Sequence, residues 1–143
     1  MKTDTNQQKR ELSSAQIEKK LQQAGIQPTA QRIAVCRYVF CEGKHSTAEE
    51  VKRWADRNFP KISLATIYNT LNTLVEAGLL KEVRFPHSDK VAYDDNTNEH
   101  YHFVDERTGQ VIDVDPESIH VESRLNKGFR VRSVDVVFYG TKE

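Results

Sequence analysis

The sequence predicts an α+β protein in which a helical first part is followed by a part built from short strands. Two observations favour this class: apolar residues recur at helical spacing up to residue 77, and β-forming runs bounded by turn residues follow. The charge is divided in the same way, since residues 1–93 hold 15 Lys and Arg against 10 Asp and Glu, whereas residues 94–143 hold 6 against 11. A basic part suits phosphate groups and an acidic part suits cations. We therefore expect two domains with different partners.

The first two helices are predicted from their apolar spacing and their end signals. A helix over residues 14–24 ends at Gly25, and Thr29 can cap a second helix that ends before Gly43. Both cysteines, Cys36 and Cys41, fall in the second helix and do not form a Cys-x-x-Cys pair. A thiolate zinc site is therefore not expected, and buried free thiols are the simpler interpretation.

Two more helices are predicted before the first strand. Ser46 and Thr47 each precede a Glu by three residues, which is the pattern of a capping box and predicts a third helix to about Asn58, with a turn at Pro60. A fourth helix is predicted over residues 63–77, and one of its faces is apolar. The members of that face are Leu64, Ile67, Leu71, Leu74 and Val75.

Strands dominate the rest of the chain. Residues 79–85 and 91–93 are rich in β-formers and flank a turn-prone segment, 86–89, so they predict a hairpin. Four helices and a two-stranded wing together predict a winged helix-turn-helix. Further strands are predicted at residues 101–104, 110–114 and 131–139, with a turn at 108–109 between the first two. Residues 115–126 stay open between a short helix and irregular chain.

The face of the fourth helix opposite the apolar one has the composition of a DNA-reading surface. No charged residue occurs between Ser63 and Val75, although a merely solvated helix usually carries Lys and Glu. Small groups, amides and methyls are what a helix needs to contact base edges in the major groove. The candidate base-contacting residues are Ala65, Thr66, Tyr68, Asn69, Asn72 and Thr73. The candidates for phosphate contacts are Arg32, Lys61, Lys81 and Arg84. The alternative is an interior helix or one with a neutral face.

Five side chains of metal-binding types form a candidate ligand set: His45, Asp94, His100, His102 and Asp113. His100 and His102 are two apart on a predicted strand and therefore point to one face. Asp113 lies on the strand expected to pair with it, and Asp94 ends the wing. Imidazole and carboxylate donors suit ferrous iron, manganese or zinc and disfavour copper(I). A cation that joins the distant His45 to the others could fix the angle between the domains. The simpler alternative is that each of the five residues is an ordinary surface group without a bound metal.

Several classes of function are disfavoured by what the sequence lacks. No apolar run approaches the roughly 20 residues that span a bilayer. The polar start does not have the pattern of a secretory signal, so we expect a cytoplasmic protein with no membrane partner. The short chain without a glycine-rich or nucleophile motif argues against an enzyme and a small-molecule substrate. A mononuclear iron enzyme is the remote alternative, and a DNA-binding protein that no longer responds to metal is another.

Five motifs make the sequence similar to the ferric uptake regulator family from about Gly25 to Gly140. They are Thr29-Ala30-Gln31-Arg32, His45-Ser46-Thr47-Ala48-Glu49-Glu50, Ser63-Leu64-Ala65-Thr66-Ile67-Tyr68-Asn69-Thr70-Leu71, Glu76-Ala77-Gly78-Leu79 and His100-Tyr101-His102. The resemblance implies a homodimer that binds double-stranded operator DNA and represses genes for iron uptake or peroxide defence when it is loaded with metal. It implies that the family's regulatory ligands fall on the same five residues and that Tyr68 touches bases.

The resemblance also implies how the chain is divided. A flexible arm is expected over residues 1–13, followed by a winged-helix DNA-binding domain over residues 14–93. A dimerisation and metal-sensing domain of α/β type is expected over residues 94–143.

The two carboxylates of the ligand set resemble those of the peroxide-sensing branch of the family. Both are aspartates, Asp94 and Asp113, where the iron-sensing branch tends to have glutamate. In the peroxide-sensing branch, ferrous iron reacts with peroxide, a ligating histidine is oxidised and the DNA is released. The resemblance puts this oxidation at His45 or His100, and it implies that a manganese-loaded protein is insensitive. Zinc can occupy such a site in vitro.

Missing cysteines are the main departure from the family pattern. Asp105 and Thr108 stand in place of one Cys-x-x-Cys pair and the second pair is absent, so no structural zinc site with four cysteines is expected. In lacking these cysteines, the sequence also resembles the haem-responsive iron-response regulators of the family. Their run of three histidines is interrupted here by Tyr101, and the chain has no Cys-Pro haem motif. Sensing of iron or haem is therefore kept as the alternative to sensing of peroxide.

Two further features of the family pattern are altered in this sequence. Glu99, Tyr101 and Val134 occupy most ligand positions of an accessory metal site, which leaves only His120 able to coordinate there. Gln27 stands where relatives often have a basic residue that enters the minor groove. The accessory site and the minor-groove contact are therefore not expected.

Overall fold

The computed structural model describes residues 11–59, 61–98, 100–132 and 134–143, which fall into two compact units. The helical unit ends at Thr97, and the sheet unit is Asn98–Glu143, whereas the sequence predicts that the second domain begins at residue 94. Residues 1–10 of the expected flexible arm lie outside the described residues, as do Pro60 of the predicted turn and Glu99 of the accessory site. Helices and sheets are both present, so the predicted α+β class is confirmed.

Four α-helices form most of the helical unit, and a hydroxyl side chain caps each of them. They are α1 (Ser14–Gln23), α2 (Ala30–Arg37), α3 (Ala48–Asn58) and α4 (Leu64–Glu76). The caps are Ser13, Thr29, Thr47 and Ser63, and each accepts the backbone N–H three residues on. Each such cap stabilises a helix by about 1 kcal/mol. A π-helical turn, Tyr38–Glu42, follows α2, so the predicted second helix consists of two elements. No helix in the described ranges is both long and apolar enough to cross a bilayer.

The four helices enclose one apolar core. Large side chains that are at most 1% exposed in it are Ile17, Leu21, Val35, Val51, Ile67, Leu71 and Leu74. Three of them come from the predicted apolar face of α4. The prediction that Leu64 belongs to the buried face is wrong, because Leu64 is the first residue of the helix and is 38% exposed. Thr70 is buried, and its hydroxyl donates to the carbonyl of Thr66.

A small antiparallel sheet forms the wing. It contains β1 (Ser46–Thr47), β2 (Lys81–Arg84) and β3 (Val91–Asp94), in the order β1-β3-β2. The predicted hairpin is therefore confirmed, although its first strand is shorter than expected. Strand β1 was not predicted, because two residues are too few to show an alternating pattern. Since Ser46 lies in β1 and is buried, only Thr47 of the two expected caps serves α3.

The sheet unit is built around a central strand. It contains β4 (Tyr101–Asp105), β5 (Val111–Val114) and β6 (Val137–Gly140). β4 pairs with β5 in antiparallel and with β6 in parallel orientation. The prediction of a strand over residues 131–139 is wrong for the described residues before Val137. Within that segment, the strand pairing with β4 begins only at Val137. The open segment, residues 115–126, contains a short 3-10 turn, Pro116–Ser118, and irregular chain.

Candidate metal ligands and nucleic-acid interface

The helical unit brings two of the proposed metal ligands together. Nε2 of His45 lies 3.2 Å from Oδ2 of Asp94, and the two side chains are 6% and 4% exposed. The other carboxylate oxygen of Asp94 accepts the backbone N–H of Asn96 at 2.9 Å, which orients the carboxylate. The ring of Phe85 meets the imidazole edge-on, with the centroids 6.3 Å apart. A nitrogen donor and an oxygen donor are therefore held side by side against an apolar wall.

The short strand β1 explains why these two residues meet although they are far apart in sequence. Ser46 pairs with Tyr93 across the wing sheet, so that His45 and Asp94, the next residues outward, lie beside each other. His45 has a left-handed backbone with φ of 49°, which residues other than glycine rarely adopt. Strain of this kind persists only where the surrounding structure holds it, and the pairing of β1 with β3 does so here.

The sheet unit brings the other three proposed ligands together. β4 and β5 pair with His102 directly opposite Asp113, which is the strand pairing that the sequence predicted. Oδ1 of Asp113 lies 3.5 Å from Nε2 of His100 and 3.7 Å from Nε2 of His102. The two imidazole rings meet edge to face, with the centroids 4.6 Å apart. Two nitrogen donors and an oxygen donor thus converge on one small volume.

A hydrogen bond orients the ring of His100. Its Nδ1 lies 2.7 Å from the carbonyl oxygen of Asn98, and because a carbonyl oxygen can only accept, the Nδ1–H group is the donor. The neutral ring then carries its lone pair on Nε2, the atom that faces Asp113. Histidines that bind metal ions are oriented in this way by a backbone carbonyl or a carboxylate on the far side of the ring.

The chemistry of these donors fits a divalent cation of the first transition row. All five side chains are nearly buried, and they offer imidazole nitrogens and carboxylate oxygens. Such mixed donors suit Fe²⁺, Mn²⁺ or Zn²⁺. Among the described residues, neither Cys36 nor Cys41 belongs to a cluster of three or more possible metal ligands, and the first is buried and the second half-buried. Burial raises the pKa of the Cys36 thiol to about 12.

Helix α4 exposes most of the side chains that the sequence analysis proposed for base contacts. Ala65, Tyr68, Asn69 and Asn72 are exposed, and Thr66 and Thr73 are half-buried. The opposite face carries Ile67, Leu71 and Leu74, which are fully buried. α4 is therefore not an interior helix, and its exposed face is uncharged from Ala65 to Thr73, with Glu76 at its C-terminal end.

An open cleft of about 300 Å³ adjoins the exposed face of α4. Polar residues from the start of α2 and from α4 line it: Gln27, Thr29, Gln31, Arg32, Thr66, Asn69 and Thr70. The guanidinium of Arg32 donates to the carbonyl of Gln27 at 2.8 Å. The proposed phosphate-contacting residue, Arg32, therefore lines the same cleft as two of the proposed base-contacting residues.

One contact of the exposed face was not predicted. The hydroxyl of Tyr68 donates to Oε1 of Glu49 in the first turn of α3, at 3.0 Å. The pKa of the Glu49 carboxyl is lowered, most strongly by the backbone N–H of Glu49 itself. The hydroxyls of Tyr68 and Thr47 lower it further by smaller amounts. The bond to Glu49 raises the pKa of Tyr68. The capping-box pattern places Glu49 in the first turn of a helix, but nothing in the sequence indicates its contact with α4.

Asp105, which departs from the family pattern, has a structural role, whereas His120 is not part of a possible metal-binding cluster among the described residues. Asp105, in place of a zinc-binding cysteine, is buried and its carboxylate accepts the N–H of Arg107 at 2.9 Å. Its carbonyl also accepts the N–H of Gly109, so Asp105 holds the turn between β4 and β5. His120 is exposed, and among the described residues it belongs to no cluster of three or more possible metal ligands.

The chain is similar to known regulators over most of its length. Residues 23–139 match the ferric uptake regulator family. The peroxide-responsive repressor PerR of Staphylococcus aureus strain Mu50 is 38% identical over 105 residues, which are 73% of this chain and 70% of that protein.

Solved structures share the fold. The ferric uptake regulator of Pseudomonas aeruginosa with manganese matches with a TM-score of 0.64 at 24% identity, over 88% of this chain and 97% of that one. The peroxide sensor PerR of Streptococcus pyogenes matches with a TM-score of 0.52 at 26% identity, over 96% of both chains. Because the family match and the 38% identity both extend over most of the sequence, the chain belongs to the ferric uptake regulator family.

Proposed function

We propose that this protein is a metal-dependent transcriptional repressor, not an enzyme, that binds double-stranded operator DNA as a cytoplasmic homodimer. The observation that carries the proposal is the presence, in one chain, of buried nitrogen and oxygen donors and of an exposed helix face that is uncharged from Ala65 to Thr73. The relatives named above are described as repressors and regulators. We further propose peroxide as the signal that releases the DNA.

All five proposed ligands are expected to bind the same Fe²⁺ or Mn²⁺ ion. The helical unit offers two donors and the sheet unit offers three, so neither set alone supplies the roughly five or six donors that such ions commonly take. Asp94 and His100 are only six residues apart, and an extended chain of that length reaches at most about 20 Å. Shared ligation also accounts for buried carboxylates beside imidazoles, since buried charges in proteins are paired or bind metal ions.

Shared ligation makes DNA binding depend on the ion. Helix α4 and His45 belong to the helical unit, whereas His100, His102 and Asp113 belong to the sheet unit. An ion bound by both limits their relative rotation. The two α4 helices of a dimer can then match successive major grooves, which are about 34 Å apart. The free energy of ion binding and that of DNA binding are therefore coupled.

Three observations support peroxide as the signal. Both ligand carboxylates are aspartates, as in the peroxide-sensing branch, and the S. aureus relative is described as peroxide-responsive. The Cys36 thiol stays protonated at neutral pH, which disfavours a thiol sensor because the thiolate is the reactive form. His45 and His100 are among the residues that would hold ferrous iron, which when bound would activate peroxide. The proposed net change is that one imidazole is oxidised by one oxygen atom of the peroxide, while the other oxygen atom leaves as water. Oxidation of either imidazole removes a donor from the set.

The proposal is tested by DNA binding of the His102→Ala variant. A duplex is first selected from a random-sequence library with the Mn²⁺-loaded parent protein, and binding is then followed by fluorescence anisotropy with and without Mn²⁺. We expect the parent to bind roughly 5- to 150-fold more tightly with Mn²⁺. His102→Ala should bind weakly in both conditions and remain a folded dimer by circular dichroism and sedimentation. His120→Ala, which alters an exposed histidine of the same unit, is the matched control and should behave as the parent.

Three results would each contradict a part of the proposal. Equal affinity of the parent for the duplex with and without Mn²⁺ would rule out the metal switch. A His102→Ala protein that keeps the parent's response to Mn²⁺ would remove His102 from the ligand set. A chain that sediments as a monomer in both conditions would exclude the homodimer.

A further inference from the structure

The hydroxyl of Tyr68 is engaged by a carboxylate on the surface proposed to face DNA. Tyr68 is 37% exposed on α4, and its hydroxyl donates to Oε1 of Glu49 at 3.0 Å. A carboxylate at such a surface opposes DNA binding, because the phosphates of DNA repel it. Glu49 therefore needs a role that outweighs this repulsion, and its bond to Tyr68 offers one.

The Glu49 carboxylate is itself held in place. It lies in the first turn of α3, where the helix dipole favours a negative charge. The backbone N–H of Glu49 and, to a smaller extent, the hydroxyls of Tyr68 and Thr47 lower the pKa of this carboxyl below its ordinary value, so it is ionised at neutral pH. An ionised carboxylate can only accept, so the Tyr68 hydroxyl must donate and the ring is restricted to orientations that reach Glu49. A side chain restricted before binding loses less conformational freedom on binding.

The same turn is continuous with the proposed metal ligand His45. Only three residues separate His45 from Glu49, and two of them form β1, which pairs with β3 next to Asp94. The paired strand β1 and the capped first turn of α3 therefore form a continuous connection between His45 and Glu49. This path lies entirely in the helical unit.

We propose that Glu49 is a positioning residue that orients the Tyr68 ring for base contact and connects it to the His45 end of β1. The inference rests on the proposed DNA binding by α4. It assigns to Glu49 a part in affinity that Glu50, its neighbour with the same charge in the same turn, does not have.

The test is a double-mutant cycle with the selected duplex and Mn²⁺-loaded protein. The variants are Glu49→Ala, Glu49→Gln, Tyr68→Phe, the double variant Glu49→Ala/Tyr68→Phe, and Glu50→Ala as the matched control. We expect Glu49→Ala and Tyr68→Phe each to weaken binding about three- to tenfold, the range of a single hydrogen bond. The double variant should bind no more weakly than the weaker single variant, because both changes break the same bond. Glu49→Gln should stay within about twofold of the parent, since its amide oxygen also accepts.

A second measurement reports on Tyr68 without DNA. The ionisation of Tyr68 is followed by ultraviolet absorbance as the difference between each protein and its Tyr68→Phe counterpart. Removal of Glu49 should lower the pKa of Tyr68 towards the ordinary value, and removal of Glu50 should not change it. An unchanged pKa of Tyr68 in Glu49→Ala would overturn the proposal even if no duplex can be selected.

The outcomes separate this inference from the proposed function. If Glu49 only repels phosphates, Glu49→Ala, Glu49→Gln and Glu50→Ala will all tighten binding, and the Glu49→Ala and Tyr68→Phe effects will add. That result overturns the role of Glu49 but leaves the metal switch intact. Loss of the Mn²⁺ response in the parent overturns the proposed function, whatever the Glu49 variants do.

Discussion

The Cys36 thiol shows how burial decides which side chains can react with peroxide. It is fully buried in the core formed by α1–α4, and burial raises its pKa to about 12, an effect that the nearby Lys20 ammonium only partly offsets. The thiol therefore carries its proton at neutral pH and is a poor nucleophile. By contrast, the imidazoles of His45 and His100 lie beside carboxylates at distances that suit a shared ion. Peroxide chemistry is thus expected at the ligands and not at the core thiol.

Burial of Cys36 predicts a dependence of stability on alkaline pH. Between pH 9 and about 12 the unfolded chain releases the thiol proton while the folded chain retains it, so the free energy of unfolding should fall by about 1.4 kcal/mol per pH unit. Cys36→Ala removes this contribution and should give a shallower slope in urea unfolding over the same range. Equal slopes for the parent and the variant would show that the thiol is not desolvated in the folded protein.

At the residue scale, the sequence predicted one ligand pair and missed the cause of the other. His-x-His spacing and the turn after β4 are local signals, and they sufficed to predict that the strand of His100 and His102 pairs with the strand of Asp113; the register that places His102 opposite Asp113 comes from the structure. The meeting of His45 with Asp94 depends on β1, whose two residues give no periodicity. The bond of Tyr68 to Glu49 depends on the packing of α3 against α4, for which the sequence has no local signal.

Helix α4 is the element on which DNA recognition depends in this account. Its cap and its apolar face are local features of the sequence, and they were predicted from it except for Leu64 at the first position. Strand β6 shows the limit of the same reasoning, because a β-forming sequence becomes a strand only where a partner strand is present. In the proposed function, the exposed face of α4 contacts bases and the cleft beside it contacts phosphates.

The two kinds of contact predict different effects on specificity. Asn69→Ala should reduce the discrimination between the selected duplex and a scrambled duplex by about 1–3 kcal/mol, because an amide that pairs with a base edge is lost. Arg32→Gln should weaken binding to both duplexes alike. The slope of the logarithm of the affinity against the logarithm of the salt concentration should become shallower by about one, as expected for the loss of one phosphate contact. Titrations of both duplexes at three salt concentrations would contradict these assignments if the two variants exchanged their patterns.

At the scale of the whole molecule, the change from a basic, helical part to an acidic, strand-rich part corresponds to the proposed division between DNA binding and metal binding. The basic part of the sequence contains α4 and its neighbouring cleft, and the acidic part contains three of the five proposed ligands. The family could be predicted from short motifs, because those motifs combine ligands, caps and the DNA-reading face. The signal could not be derived from composition or periodicity, since iron, manganese and zinc share the same donors. Only the redox behaviour of the bound ion separates these possibilities.

The most direct test compares the Fe²⁺-loaded and Mn²⁺-loaded proteins on the selected duplex before and after a modest dose of hydrogen peroxide, with mass spectrometry of the histidine-containing peptides. We expect that only the iron form releases DNA and that one oxygen atom is added at His45 or His100. The variant Cys36→Ala/Cys41→Ala should respond as the parent does. Persistent DNA binding by the iron form with no oxidised histidine would contradict peroxide sensing, and equal release from the manganese form would contradict the role of the metal.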